Sequence, residues 1–306
     1  MCIRFLTLAA PIFAFVGASA GIAQPAAEPE WQAAAGHKLS FEVASVMLDT
    51  SGISKPASFP LTADDSFRDN GGAFHADLQL AVYIQFAYKL WMFPEQVEAM
   101  LSRMPAWVRN DHYEIEARAP DYPHAHPPRD QMRLMMQSLL ANRFKFAAHF
   151  ETHEGPIFAM TLLKPAKPGP NVRPHDEGSP CDATVSATTF PQQCDAWMLE
   201  MQPDKTALAG SRNTTMDLLA RSLPLFGHLG RPVVNRTGMS GRYDVKMNFV
   251  MSAPIGPGSN IAPDNSDVSG PTFLEALRDQ LGLKLEPAVG PIQVLVIDHI
   301  ENPTGN

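Results

Sequence analysis

Tyr113-Glu-Ile-Glu-Ala117 and Tyr243-Asp-Val-Lys-Met247 decide the fold of this chain. Each alternates apolar with polar residues, and side chains on a strand point to opposite faces in turn, so each predicts a strand with one buried face. They lie 130 residues apart. Working outward, Leu140-Ala-Asn-Arg-Phe-Lys-Phe146 matches Leu277-Arg-Asp-Gln-Leu-Gly-Leu283 at an offset of 137. Gly155-Pro156-Ile157 matches Gly290-Pro291-Ile292 at 135, and Leu80, which opens one helical pattern, falls 136 before Met216, which opens another. Four motifs in one order at nearly one spacing predict a structural unit written twice.

The flanking patterns fill in each unit. In the first half Phe41-Glu-Val-Ala-Ser-Val46 and Phe74–Leu78 predict strands. Leu80, Tyr83, Ile84, Ala87, Tyr88 and Trp91 share one helical face, and so do Met132, Met135, Met136, Leu139 and Leu140. Residues 144–151 and 157–163 predict a hairpin about Glu154-Gly155-Pro156. In the second half, strands are expected over 197–201, 206–211 and 242–249. Thr214 with Asp217 predicts a capping box before a helix that Pro224 should end, and Thr272 with Glu275 predicts another. Residues 284–286 and 293–299 would close a second hairpin. The expected fold class is α+β: two related small modules, each a short sheet with two helices on one face. The expected boundaries are 38–163 for the first module, 164–195 for a Pro/Gly-rich linker and 196–301 for the second.

Residues 1–23 have the form of a secretory signal. Arg4 supplies the positive start, Phe5 to Val16 is an apolar run too short to span a bilayer, and Ala18-Ser-Ala20 is a small-residue cleavage pattern. No later stretch is apolar for long enough to cross a membrane, so a periplasmic or secreted protein with no transmembrane segment after signal removal is expected. Losing Arg4 takes the formal charge from −8 to −9. An acidic chain without Lys/Arg clusters argues against nucleic-acid partners, because phosphate contacts need a concentrated basic face. Removing Cys2 leaves Cys181 and Cys194, which should pair in an oxidising compartment.

No constellation names a reaction. His149 and His153 are four apart, a zinc spacing only on a helix, and this stretch reads as strand and turn, where they would be separated by about 13 Å of rise. His124 and His126 sit in a Pro-rich loop. Met132, Met135 and Met136 could suggest a soft metal, but the same spacing describes a core stripe continued by Leu139 and Leu140. Gly238-Met-Ser240-Gly241-Arg242 lacks the last glycine of a nucleophile elbow. Arg236-Thr237-Gly238 is similar to a Lys-Thr-Gly box, but no Ser-x-x-Lys accompanies it, so Thr237 and Ser240 read as turn residues. Trp31, Trp91, Trp107 and Trp197 could line a groove or pack at element ends. No cofactor and no metal ligand set is expected.

The run Gly230-Arg-Pro-Val-Val-Asn-Arg-Thr-Gly-Met-Ser-Gly-Arg-Tyr-Asp244, with Phe41-Glu-Val-Ala-Ser-Val46, Leu139-Leu-Ala-Asn-Arg-Phe-Lys-Phe146 and Leu277-Arg-Asp-Gln-Leu-Gly-Leu-Lys-Leu285, resembles a family of uncharacterised exported proteins of soil bacteria. Some of its members carry this domain fused to beta-lactam-sensor-type membrane metallopeptidases, which implies extracytoplasmic sensing but no activity. The helix, Tyr-Asp strand, Leu-Gly-Leu helix and closing hairpin are also similar to the short N-terminal modules of secretins and TonB-dependent receptors, which act by protein contacts. The resulting expectation is an exported, non-enzymatic binding or sensing protein with an unknown extracytoplasmic protein or ligand as partner. The alternatives are a metal-assisted periplasmic hydrolase using His149, His153 and Glu151, or a structural cell-surface protein.

Overall fold

The computed structural model describes residues 29–303 apart from 37–38, 54, 67–70, 93, 122–126, 177, 179–180, 182–189, 192–193 and 252–267. The expected signal segment 1–23, with Cys2, and also His124 and His126, lie outside the described residues. The chain is α+β, as its periodicities predict. The first unit runs α1 (Glu30–Ala35), β1 (Val43–Asp49), β2 (Ala73–Gln79), α2 (Leu80–Ala87), α3 (Pro94–Leu101), α4 (Trp107–Asn110), β3 (His112–Arg118), α5 (Arg129–Arg143) and β4 (Ala147–Leu162). Its antiparallel sheet has the order β1-β3-β2. The alternation of β3 does what it promised: Tyr113 and Ile115 are fully buried against α2 and α5. Met132, Met135 and Met136 are fully buried in the same core.

The second unit runs β5 (Val172–Pro174), β6 (Met198–Met201), β7 (Ala207–Thr214), α6 (Met216–Gly227), β8 (Val233–Asn235), β9 (Tyr243–Phe249), α7 (Phe273–Leu281) and β10 (Leu283–His299). Its sheet has the order β5-β9-β7-β6. Apart from the extra strand β6, the order matches the first: an outer strand, the Tyr113- or Tyr243-bearing strand at the centre, then the strand that feeds a helix. The outer strand β5 comes from the stretch 164–195 that its composition marks as a linker. Arg173 and its neighbours pair with Tyr243–Val245, and Gly169 and Asn171 donate to the carbonyls of Leu281 and Gln280.

Two local expectations are corrected. The N-cap of α6 is Thr215, whose hydroxyl accepts from the Leu218 amide at 3.1 Å, while Thr214 ends β7 and Asp217 accepts from Asn235 on β8. Pro224 does not end that helix, which continues to Gly227. The box of Thr272 and Glu275 at the start of α7 is complete in both directions.

The larger correction concerns the two hairpins. β4 does not turn at Gly155-Pro156; it runs straight through and pairs with β10 over nearly its whole length, from Leu162↔Leu283 to Ala147↔His299. The first half of β4 and the last half of β10 cover the first core with Phe150, Leu295 and Ile297, joined by Phe146 just ahead of β4. The other halves cover the second core with Phe158, Met160, Leu283 and Leu285. Each unit thus receives a strand from the other's sequence. Gly155 and Gly290 sit directly opposite each other at the crossing. Neither has positive φ, so backbone freedom is not what glycine supplies here. It supplies space: a Cβ on Gly155 would lie 2.7 Å from Ile292 Cδ1, and one on Gly290 would lie 2.6 Å from Ile157 Cδ1. Cys181 and Cys194 are joined by a disulfide with a Cα–Cα separation of 5.5 Å.

Candidate groove along β10

An open groove of about 1370 Å³ lies between α1, the 88–105 segment and the last half of β10. Its floor is β10 from Pro291 to His299. One wall is Trp31, Tyr88, Trp91 and the α3 residues Gln96, Ala99 and Met100; the other is Asp217, Leu218 and Arg221 at the start of α6. The sequence predicts a helix carrying Trp91 on its buried face, but α2 stops at Ala87. Lys89 adopts the left-handed conformation, φ 52°, which ends the helix and turns Trp91 into the groove wall.

That turn also points the Lys89 ammonium at Asp65, at 2.5 Å, with Asp130 at 3.3 Å and the Trp31 ring centroid at 5.7 Å. Asp130 also pairs with Arg133, which is fully buried and reaches the carbonyls of Thr62 and Asp64. Burial raises the Asp65 carboxyl, but Lys89 and Arg133 outweigh it and hold the group below its ordinary value. Arg129, also buried, pairs with Asp64, and burial brings its guanidinium down to about 10. These two arginines fix the turn-rich 59–66 segment against α5 and so set the inner corner of the groove. Sequence reasoning missed them. The available signal was their spacing, since Arg129, Met132, Arg133 and Met136 occupy one helical face. Tyr88, packed against Phe146 and Phe150, has its phenol raised to about 12 by burial.

The backbone of the floor matters as much as its side chains. In an antiparallel pair, successive residues turn their N–H and C=O alternately toward the partner and away from it. Phe158 donates away from β10, to Pro232 O at 2.9 Å, and Met160 O accepts from the Arg236 amide at 2.8 Å, so β8 lies parallel to β4 on that outer edge. The β4–β10 register then turns the odd residues of β10 outward. Pro287 and Pro291 occupy two of these positions, where a missing N–H is tolerated and blocks strand addition. Gln293 and Leu295 occupy the next two, and they lie in the groove.

The histidine row is elsewhere in chemical character. His149, Glu151 and His153 share one face of β4. His149 Nε2 lies 3.4 Å and His153 Nε2 2.9 Å from different oxygens of Glu151, and His149 Nδ1 is 2.9 Å from Asp298. Hydrogen bonds to the Asp298 and Glu151 carboxylates raise the His149 imidazole above its ordinary value. Glu151 therefore bridges two exposed imidazoles rather than joining them around a point. Among the described residues, two groups of possible ligand atoms lie within 4.8 Å of one another: His175 with Cys181 and Cys194, and His75 with Glu114 and Glu116. In the first the sulfurs are joined to each other and His175 Nδ1 is 2.7 Å from Asp244. In the second Lys55 pairs with Glu114. Thr237 caps an Asx turn on Asn235, and the Ser240 carbonyl accepts from Tyr243, with φ of 70° at Gly238 and 101° at Gly241. Of the tryptophans, Trp31 and Trp91 line the groove, Trp107 stacks on Phe144, and Trp197 packs on Phe226.

The model of a family described as proteins of unknown function (DUF3738) matches residues 81–300. The chain belongs to this family. The DUF3738 match starts in α2 and ends just past β10, so it takes in the crossed strands, both cores' helices and most of the groove, with α1 ahead of it. Neither the curated proteins nor the solved structures yield a match. No helix of the described residues is long and apolar enough to cross a membrane.

Proposed function

We propose that this protein is exported to the periplasm or secreted and acts there as a non-enzymatic binding or sensing protein, with the β10 groove as its site. The groove carries this reading. It is wide, open and lined by two tryptophans and a tyrosine, residues that dominate binding surfaces because they bury much area at little entropy. The disulfide supports an oxidising compartment. The resemblance to exported domains fused to membrane metallopeptidases supports sensing, and the likeness to secretin and TonB-receptor modules supports protein contacts. The matching strand orders and the motif offsets support an internal duplication.

Charge placed on one wall and on the floor tests the site. Ala99 on α3 is exposed, and Val294 on β10 is 42% exposed, so Ala99→Arg and Val294→Arg should fold. Each is expected to weaken ligands recovered by panning peptide and small-molecule libraries on the purified chain by at least about tenfold. Ligands that bind both variants as tightly as the parent chain contradict the assignment.

A further inference from the structure

We infer that the groove binds an extended polypeptide strand, added parallel to β10 with Gln293 and Leu295 as its backbone partners. The inference rests on the groove being the binding site and names the class of ligand.

The molecule holds its own template for that strand. The crossing relates β4 to β10 by an offset of 135, since Gly155 faces Gly290 and each lies under the other strand's isoleucine. Moving the β4–β8 contact by the same offset carries Phe158 to Gln293 and Met160 to Leu295. On β4 those positions hold β8, through Pro232 O accepting from Phe158 and Arg236 N donating to Met160. On β10 the same outward positions open into the groove. The proline two residues earlier is also shared, Pro156 in one strand and Pro291 in the other, so both edges are blocked at the crossing and usable just beyond it.

The reason that, among the described residues, no strand of this unit pairs with the β10 edge lies in the connection. In the second unit residues 228–242 pass directly from α6 to β9 and lay down β8 on the way. In the first, residues 88–111 run from α2 to β3 through α3 and α4, and the 88–105 segment forms the facing wall. An edge with paired N–H and C=O groups on offer, at the base of a groove, suits strand addition, in which main-chain bonds give affinity and side-chain pockets give specificity. By the β8 register the carbonyl of the residue in Pro232's place accepts from Gln293 N–H. The residue in Val234's place donates to Gln293 O, and the one in Arg236's place donates to Leu295 O. The amides in the places of Val233 and Asn235 point away from β10.

The test uses the full exported chain and a fluorescein-labelled hexapeptide of the β8 stretch, Arg231-Pro-Val-Val-Asn-Arg236, with N-methyl groups placed singly. Saturable binding by anisotropy is expected. Methylation at the Val234 or Arg236 position should weaken it at least about tenfold, and methylation at Val233 or Asn235 by less than about threefold. Gln293→Pro should abolish binding with little change in melting temperature, because the lost N–H faces the groove; Gln293→Ala should keep it. Gln293→Pro also separates the groove from exchange at β8's own place, which it leaves intact. Equal sensitivity in both methylation registers, or unchanged binding by Gln293→Pro, overturns strand addition. If the hexapeptide fails to bind at millimolar concentration while panned ligands still lose affinity on Ala99→Arg, the strand inference falls and the groove stands. If panned ligands ignore Ala99→Arg and Val294→Arg as well, both fall.

Discussion

The two units lay out their strands in the same order and differ in what lies beside the crossed pair. In the second, the edge of β4 is closed by β8, with Val233 buried and Asn235 bonded to Asp217. In the first, the matching edge of β10 is the base of a groove. The strands that complete the two cores are alike, and the difference collects in one connection, 88–111 against 228–242. That is where a fold can vary at least cost, because connections run over the surface and each lends its core only a few buried residues, Met104 and Val108 in the first and Val233 in the second. The helices differ too. The first core accepts two buried arginines on α5, whereas the inward face of α7 is Phe273, Ala276, Leu277 and Leu281. A charged corner beside the groove and an apolar one away from it suit a first unit that positions a ligand and a second that braces it.

The largest expected effect breaks the charged corner. Arg133→Ala leaves Asp130 without its closest cation and empties a fully buried site. It should destabilise by about 3 kcal/mol or more in urea unfolding. A change below about 1 kcal/mol would mean that the arginine is not a keystone of the first unit and that the contrast between the two cores is superficial.

The crossing gives a sharper comparison, because the two glycines face unequal neighbours. Ile157, over Gly290, is fully buried, while Ile292, over Gly155, is only partly so and can swing aside. Gly290→Ala is therefore expected to destabilise by about 1–3 kcal/mol and Gly155→Ala by less than about 1 kcal/mol. The reverse ranking in parallel melts would show that the packing at the crossing is misread.

The smallest effect is a pH dependence at the groove's far end. His149 has its folded value raised by Asp298 and Glu151, so its contribution to stability is fully present below its ordinary value of 6.5 and is lost as pH rises through the folded value. His149→Gln should remove that slope from the melting temperature across the neutral range and leave binding of groove ligands nearly unchanged. A parent chain whose melting temperature rises over that range gives the wrong sign.

Periodicity made most of this fold legible. Alternation in 113–117 and 243–247 located both central strands, the methionine stripe located α5, and the Thr272 and Glu275 pair located the start of α7. The crossing was not legible, because a Gly-Pro pair between two apolar runs describes a tight turn and a guarded edge strand equally well. Only the partner decides, and the partner is 135 residues away. The short strands β5 and β8 were missed because three residues carry no period. The groove was half visible. Its tryptophans were singled out, but two of the four pack elsewhere, and its floor is main chain, which leaves almost no trace in composition beyond the prolines at 287 and 291.

Amide hydrogen exchange, read residue by residue, tests the central claim most directly, since it compares the two edges in one molecule. The amides of Phe158 and Met160, under β8, should be strongly protected in the free chain. Those of Gln293 and Leu295 should exchange far faster, and become protected when the β8 hexapeptide is added. If Gln293 and Leu295 are already as protected as Phe158 and Met160 in the free chain, the edge is occupied by the protein itself, and the groove is not an open site for a strand.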